Sequence, residues 1–144
     1  MHDAIEALMR EPAATVTITQ GIEHFDDGQV VLRIRGSGDV AVTQRRAGTT
    51  TAFNGQLTRD ELGTLVTALA GHRFSRPRTS KLPRNPGDTP LVLSYEAPGA
   101  AAATAALWYG DRYQDQELDA IIRVADDLIY RITGGQLGAA AAQP

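Results

Sequence analysis

The sequence contains no cysteine in its 144 residues. Disulfide frameworks, cysteine-ligated zinc sites and cysteine nucleophiles are therefore excluded. No segment approaches the roughly 20 apolar residues that a membrane-spanning helix needs. The first residues also lack the hydrophobic region of a signal peptide. We therefore expect a cytoplasmic protein that does not bind membranes.

Lysine is almost absent as well. Lys81 is the only lysine among 14 basic residues, and all the others are arginine. Alanine, by contrast, is abundant. This combination is more typical of GC-rich bacterial coding than of selection for arginine side chains that bind phosphate.

The chain length predicts one domain. A chain of 144 residues can bury about two-thirds of its unfolded surface without a metal or disulfides. We expect residues 14–133 to form this domain. Residues 1–13 are an N-terminal segment with a short amphipathic helix that could dock on a partner, and residues 134–144 are predicted to be a disordered tail.

The segment from Asp115 to Thr133 has the spacing of an amphipathic helix. Asp115 can cap its first turn, and Gly134-Gly135 can end it in a left-handed conformation. Charges of alternating sign at every fourth residue from Asp119 to Arg131 mark the solvent side. Its apolar residues recur at intervals of three and four, on one face: Leu118, Ile121, Ile122, Ala125, Leu128, Ile129 and Ile132.

A second amphipathic helix follows Thr58. Thr58 and Glu61 have the spacing of a capping box, in which each side chain bonds the backbone of the other residue. Gly71 is placed to end the helix. We expect Leu65 on this helix, and Ile122 on the later one, to be buried against a sheet.

Alternating apolar and polar residues predict short strands elsewhere. In the second strand, Leu32 and Ile34 point one way while Arg33 and Arg35 point the other, as in an antiparallel sheet with one solvated face. The first strand could continue through residues 22–25, and the fourth is the weakest. The predicted strands are Ala14–Gln20, Gln29–Arg35, Val40–Arg46, Thr49–Phe53, Leu91–Ala97 and Ala103–Tyr109.

Tight turns and only two helices exclude a parallel α/β sheet. The sequence therefore predicts an α+β fold in the order β-β-β-(β)-α-β-β-α. Its antiparallel sheet has four to six strands, with both amphipathic helices on one face.

Four stretches also carry a family resemblance. They are Val31–Arg46, the helix LTRDELGTLVTAL with Arg73-Phe74 after it, the strand TPLVLSYEAPG, and the closing helix. Together they resemble small bacterial domains of the emfourin type, which include protein inhibitors of thermolysin-like metalloproteases. The glycine-rich N-terminal segment of those inhibitors is not matched here, so no inhibitory residue is carried over.

Residues that could support catalysis or metal binding are not grouped in the sequence. His2, His24 and His72 are scattered. Gln116 occupies the glycine position of a calcium loop, so the acidic residues around it are interpreted as helix-capping groups. Ser37 lies in a turn without a paired base. The acidic residues around Gln116 are Asp111, Asp115, Glu117 and Asp119. We therefore predict no catalytic residue, cofactor or metal site.

The segment from residue 73 to residue 84 is the most basic part of the chain. It has five basic residues and no acidic one, which leaves −8 on the remainder of a chain whose net charge is −3. Such polarity can steer an anionic partner, but a solvated loop is the simpler interpretation. The basic residues are Arg73, Arg76, Arg78, Lys81 and Arg84.

The solvated face of the sheet is the second candidate surface. Arg33 and Arg35 are predicted there, and Trp108 joins them if Leu107 points inward; the sequence leaves both orientations of Trp108 open. Tryptophan and arginine are typical anchors of protein interfaces.

These features favour a non-enzymatic binding module of the inhibitor, immunity or adaptor type that recognises another protein. The alternative is a small-ligand or nucleic-acid binder that uses the arginine-rich loop, and an enzyme assembled only in the fold is a third hypothesis. Nucleic acid is a weak candidate because the chain is acidic and Phe74 is the only aromatic residue in the loop. The oligomeric state stays open, including a homo-oligomer.

The loop hypothesis makes a kinetic prediction. If the loop meets an acidic partner, Arg76→Glu with Arg78→Glu should slow association and weaken its dependence on salt, because long-range attraction is lost. Stopped-flow association at several salt concentrations with a co-purified partner measures this. Unchanged rates in a variant with an unchanged thermal melt would favour the sheet face instead.

Overall fold

The computed structural model describes residues 11–21, 28–71, 89–97, 103–113 and 115–137. The expected helix in the first ten residues, the continuation through residues 22–25, the basic loop and the end of the tail lie outside these ranges. The elements are β1 Thr15–Gln20, β2 Gln29–Arg35, β3 Asp39–Arg46, β4 Thr49–Gln56, α1 Arg59–Gly71, β5 Pro90–Glu96, β6 Ala103–Trp108, a 3₁₀ helix Tyr109–Tyr113, and α2 Gln116–Ile132.

All six strands form one antiparallel sheet in the order β4-β3-β2-β1-β5-β6. The predicted α+β class and element order are confirmed. The connection that contains α1 takes the chain from the edge strand β4 to β5, which pairs with β1. β1 and β2 are therefore central, while β4 and β6 are the two edges.

The fourth strand is longer than the sequence predicts. It continues three residues beyond Phe53, because these residues still pair with β3 as far as Asp39. Asn54-Gly55 looks like a turn in sequence, but here the glycine has a packing role. A Cβ atom on Gly55 would lie 2.5 Å from Ile132 Cδ1, so the missing side chain lets the end of α2 lie against β4.

The hydrophobic core lies between the sheet and the two helices. Inward-facing residues of β1, β2, β3, β5 and β6 meet the apolar faces of α1 and α2 in one continuous cluster. Leu65 and Ile122 both have 0 % exposure, so the faces predicted for both helices are correct. Each fully buried aliphatic side chain contributes about 1.5–3 kcal/mol to folding.

Both predicted helix starts are confirmed in atomic detail. The Glu61 N–H donates to Thr58 Oγ1 at 3.1 Å, and the Thr58 N–H donates to Glu61 Oε1 at 2.9 Å, which is the capping box. Asp115 Oδ1 accepts from the N–H groups of Glu117 and Leu118, both at 3.1 Å. These bonds satisfy donors that a helix start otherwise leaves without partners.

The arginines on the solvent side of α2 pair with acidic residues of different elements. Arg123 Nε lies 2.8 Å from Asp119 Oδ2, the i, i+4 pair that the spacing predicts. Arg131 instead crosses to α1, where its Nε lies 2.8 Å from Glu61 Oε2, and its Nη2 donates to the Gln56 carbonyl. This ion pair joins the two helices beside β4. No helix in the described ranges is long and apolar enough to cross a membrane.

The buried helix faces make a stability prediction. Leu65→Ala and Ile122→Ala should each lower the free energy of unfolding by about 2–5 kcal/mol, because each leaves a cavity in a closed core. Urea denaturation measures the loss. Thr67→Ala, on the exposed side of α1, is the control and should change stability by no more than about 0.5 kcal/mol. Losses below about 1 kcal/mol at both core positions would contradict the packing.

Candidate functional site

The structure describes only one of the two candidate surfaces predicted from the sequence. The basic residues of the loop, from Arg73 to Arg84, lie outside the described ranges. The sheet face opposite the helices is described across all six strands. The candidate site is therefore built on this face, which we call the outer face.

Arg33 and Arg35 lie on the outer face because they alternate with Leu32 and Ile34, which are buried at 0 % exposure. Both arginines are exposed. Arg33 lies beside Thr17 of β1, and Arg35 lies beside Thr15. The short side chains of β1 leave the guanidinium groups open to solvent.

Trp108 also belongs to the outer face. Leu107 points inward and is only 8 % exposed, so its neighbour Trp108 points the other way and is half-buried. This decides between the two orientations that the sequence left open. Trp108 lies opposite Pro90 of β5, at the end of β6 where the 3₁₀ helix begins.

The arginines and the tryptophan share a face but do not form one cluster. Arg33 lies level with Thr17, Ser94 and Thr104 across the sheet. Trp108 is three strands away from Arg33 and four residues further along β6. With about 4.8 Å between strands and about 3.3 Å per residue, the separation is about 20 Å.

Small uncharged side chains fill the area between the arginines of β2 and Trp108. They are half-buried, and no described element packs over them. Protein interfaces commonly have an uncharged centre with polar residues around it. The strip consists of Thr17, Thr19, Val31, Val92 and Ser94.

A buried polar cluster on the other side of the sheet was not predicted. Asp126, on α2, is only 4 % exposed. Gln20 Nε2 donates to Asp126 Oδ1 at 3.2 Å, and the Tyr109 hydroxyl donates to Oδ2 at 2.9 Å. Burial raises the pKa of Asp126 above its ordinary value, although these hydrogen bonds favour the ionised form.

The cluster continues from Tyr109 to the surface. Arg112 Nη1 donates to the Tyr109 hydroxyl at 2.6 Å, and the guanidinium lies 4.9 Å from the ring centroid. Arg112 Nε also donates to Asp119 Oδ1 at 2.5 Å. Burial and the charge of Asp126 raise the pKa of Tyr109. Burial alone would raise the pKa of Asp119 too, but Arg112 and Arg123 outweigh it and hold that pKa below its ordinary range.

Three of the four acidic residues interpreted as helix-capping groups lie at the start of α2, and Asp111 is the exception. Asp115 is the N-cap. Asp119 bridges Arg112 and Arg123. Asp111 is buried and accepts the backbone N–H of Trp108 at 3.1 Å, so it caps the end of a strand rather than a helix.

The hydrogen bonds of this cluster hold elements of the fold together. Both carboxylate oxygens of Asp126 are hydrogen-bonded, and the Tyr109 hydroxyl both donates and accepts. The two carboxylates and two guanidinium groups balance in charge when Asp126 is ionised. Together they fix the 3₁₀ helix against α2 and the end of β1. No group of three or more potential metal ligands occurs in the described ranges.

The sequence could not have identified which residues bond Asp126. Gln20 and Asp126 are 106 residues apart in sequence. Asp126 does break the apolar face between Ala125 and Leu128, and an acid at that helical position is the only local indication. Its partners are determined by the pairing of distant strands.

The raised pKa of Asp126 makes a pH prediction. Since the folded-state pKa exceeds the unfolded value, this group stabilises the fold most below about pH 4, and that contribution is lost as pH rises through the folded pKa. Asp126→Asn removes the titration, and a flipped Gln20 amide can accept from the new NH₂ group. Between pH 4 and pH 7, its stability relative to the wild type should therefore rise.

Urea denaturation of both proteins at several pH values measures this difference. Asp126→Ala is the comparison, because it leaves the Tyr109 hydroxyl and the Gln20 amide without their acceptor. It should cost about 1–3 kcal/mol for each group that stays buried. Parallel pH curves for the wild type and Asp126→Asn would contradict the raised pKa.

Comparison with known proteins identifies no family for this chain. The sequence matches no family model and no curated protein. A function for this chain must therefore be argued from the surfaces described above.

Proposed function

We propose that this protein is a non-enzymatic binding module that recognises another protein through the outer face of its sheet. The observation that carries the proposal is the makeup of this face. No described element covers it, and an uncharged strip separates Arg33 and Arg35 on the central strand β2 from Trp108 at the end of the edge strand β6.

The dimensions of the face fit this role. Six strands span about 24 Å between the edge strands, and six residues extend about 20 Å along each strand. This area is of the same order as the roughly 800 Å² that each partner contributes to a standard interface. The uncharged strip would be desolvated on binding, while Arg33 and Arg35 beside it would form charge-assisted hydrogen bonds.

The resemblance to emfourin-type domains supports the same class of function. It suggests a thermolysin-like metalloprotease as one defined protein to test as a partner. The proposal of protein binding does not depend on that choice, because it is based on the outer face.

Trp108 provides a direct test, since it is the only tryptophan in the chain. The wild-type protein is first co-purified with its native partner, which mass spectrometry then identifies. Titration with that partner should shift the Trp108 emission and protect it from acrylamide quenching. A partner without tryptophan, or with its tryptophans replaced, keeps the signal specific.

Arg33→Glu with Arg35→Glu should weaken binding by roughly 100-fold or more, because the two contacts of these arginines with acidic groups of the partner become repulsive. The control is Arg123→Glu, which makes one Arg→Glu substitution of the same kind at an exposed position on α2, away from the outer face. It should leave the affinity within about threefold. Equal binding by both variants, with no change in Trp108 emission, would place the interface elsewhere.

A further inference from the structure

The edge strand β4 presents a backbone that can pair with another strand. The Leu57 N–H donates to the Gly38 carbonyl at 2.8 Å, so the N–H and C=O groups of Leu57 point towards the β3 side of the sheet. In an antiparallel pair this direction alternates from residue to residue. Thr50, Ala52 and Asn54 therefore direct their N–H and C=O groups away from the sheet.

Little in the described structure protects this edge. All of β4 is uncharged and free of proline, and Thr50, Ala52 and Asn54 are exposed. At its end, the Gln56 carbonyl accepts from Arg131 Nη2 at 3.0 Å, and no other described residue bonds the outward backbone groups of Thr50, Ala52 or Asn54. Edge strands of soluble proteins usually carry charges, prolines or bulges that prevent pairing.

The opposite edge, β6, is better protected. The Tyr109 N–H donates to the Thr89 carbonyl, so Thr104, Ala106 and Trp108 direct their backbone outward. Asp111 already accepts the Trp108 N–H at 3.1 Å, and the chain then turns into the 3₁₀ helix. In the described part of this edge, only Thr104 and Ala106 remain for pairing.

We propose that β4 pairs antiparallel with β4 of a second copy of this chain, about a two-fold axis through Ala52. This register places Thr50 of each copy opposite Asn54 of the other, and the two Ala52 residues opposite each other. The three pairs supply about six backbone hydrogen bonds, two for each pair. The result is a continuous twelve-stranded sheet with all helices on one side.

The side chains favour this self-pairing. On the outer face, the opposed side chains are small and uncharged, so none repels its counterpart. On the helix side, the half-buried Phe53 of each copy becomes a diagonal neighbour of the other Phe53, within the reach of aromatic side chains. Each aromatic ring would then be further removed from water.

The charges of the adjacent strand also favour a second copy in the antiparallel direction. β3 carries Arg45 and Arg46 at the end where β4 begins, and Asp39 at the end where β4 finishes. The two-fold axis brings the basic end of one copy towards the acidic end of the other. A parallel arrangement would bring like charges together.

Sedimentation equilibrium of the full chain tests the dimer. The wild type should sediment at twice its 15.4 kDa chain mass at high concentration. Ala52→Lys places two like charges opposite each other at the axis and should raise the dimer dissociation constant by roughly tenfold or more. Thr104→Lys makes a comparable change on the outer face of β6, the other edge, and should leave the dissociation constant unchanged.

Cysteine crosslinking tests the register, because the chain has no other cysteine. Cα atoms of a hydrogen-bonded antiparallel pair lie about 5.5 Å apart, so two Ala52→Cys thiols are within reach of a short bismaleimide crosslinker. Ala52→Cys should therefore be crosslinked into a dimer by this reagent at least about tenfold faster than Thr104→Cys. The crosslinking rate also tests the proposed pairing if Ala52→Lys does not fold.

Three results would overturn the proposal. The first is a wild-type protein that stays monomeric at hundreds of micromolar. The second is a dimer weakened equally by Ala52→Lys and Thr104→Lys, or by neither. The third is crosslinking of Ala52→Cys no faster than that of Thr104→Cys.

Discussion

The burial of one face of the sheet beneath two helices is the interaction on which the rest of the structure depends. Strands repeat every two residues and helices every 3.6, so the two patterns must match across a single apolar layer. Here the inward residues of five strands meet α1 and α2 in one cluster. The apolar layer determines which residues point outward, and therefore which surfaces are available to a partner.

A sheet covered on one side has two kinds of exposed surface, its outer face and its edges. The outer face is made compatible with water by threonine and arginine rather than by a second layer. The edges are treated unequally. β6 ends in a 3₁₀ helix with Asp111 bonded to its last strand residue, whereas β4 has one bond from Arg131. One proposal follows from the uncovered outer face, and the other from the unequal protection of the two edges.

The buried cluster around Asp126 shows how polar groups fit within this fold. A carboxylate at 4 % exposure is costly unless its oxygens are bonded, and both have donors here. Those donors come from β1 and the 3₁₀ helix, so the cluster joins elements that apolar packing alone would hold less specifically. Arg112 and Asp119 carry the network from the interior to the surface of α2.

Much of the fold is local in origin and could be predicted. The capping box at Thr58, the N-cap at Asp115 and the apolar faces around Leu65 and Ile122 depend on residues within a few positions of one another, so their spacing is sufficient evidence. The same holds for the alternation that directs Arg33 and Arg35 outward. The 3₁₀ helix was not predicted, because its five residues carry no repeating pattern.

The amino-acid sequence by itself determined the helices, the central strands and their apolar faces, because these follow from local periodicity and capping. Only the tertiary structure decided the strand order, the orientation of Trp108, the partners of Asp126 and the separation of Arg33 from Trp108. Each of these depends on which distant strands pair and in which register. That choice is made by the packing of the whole core and not by any one segment.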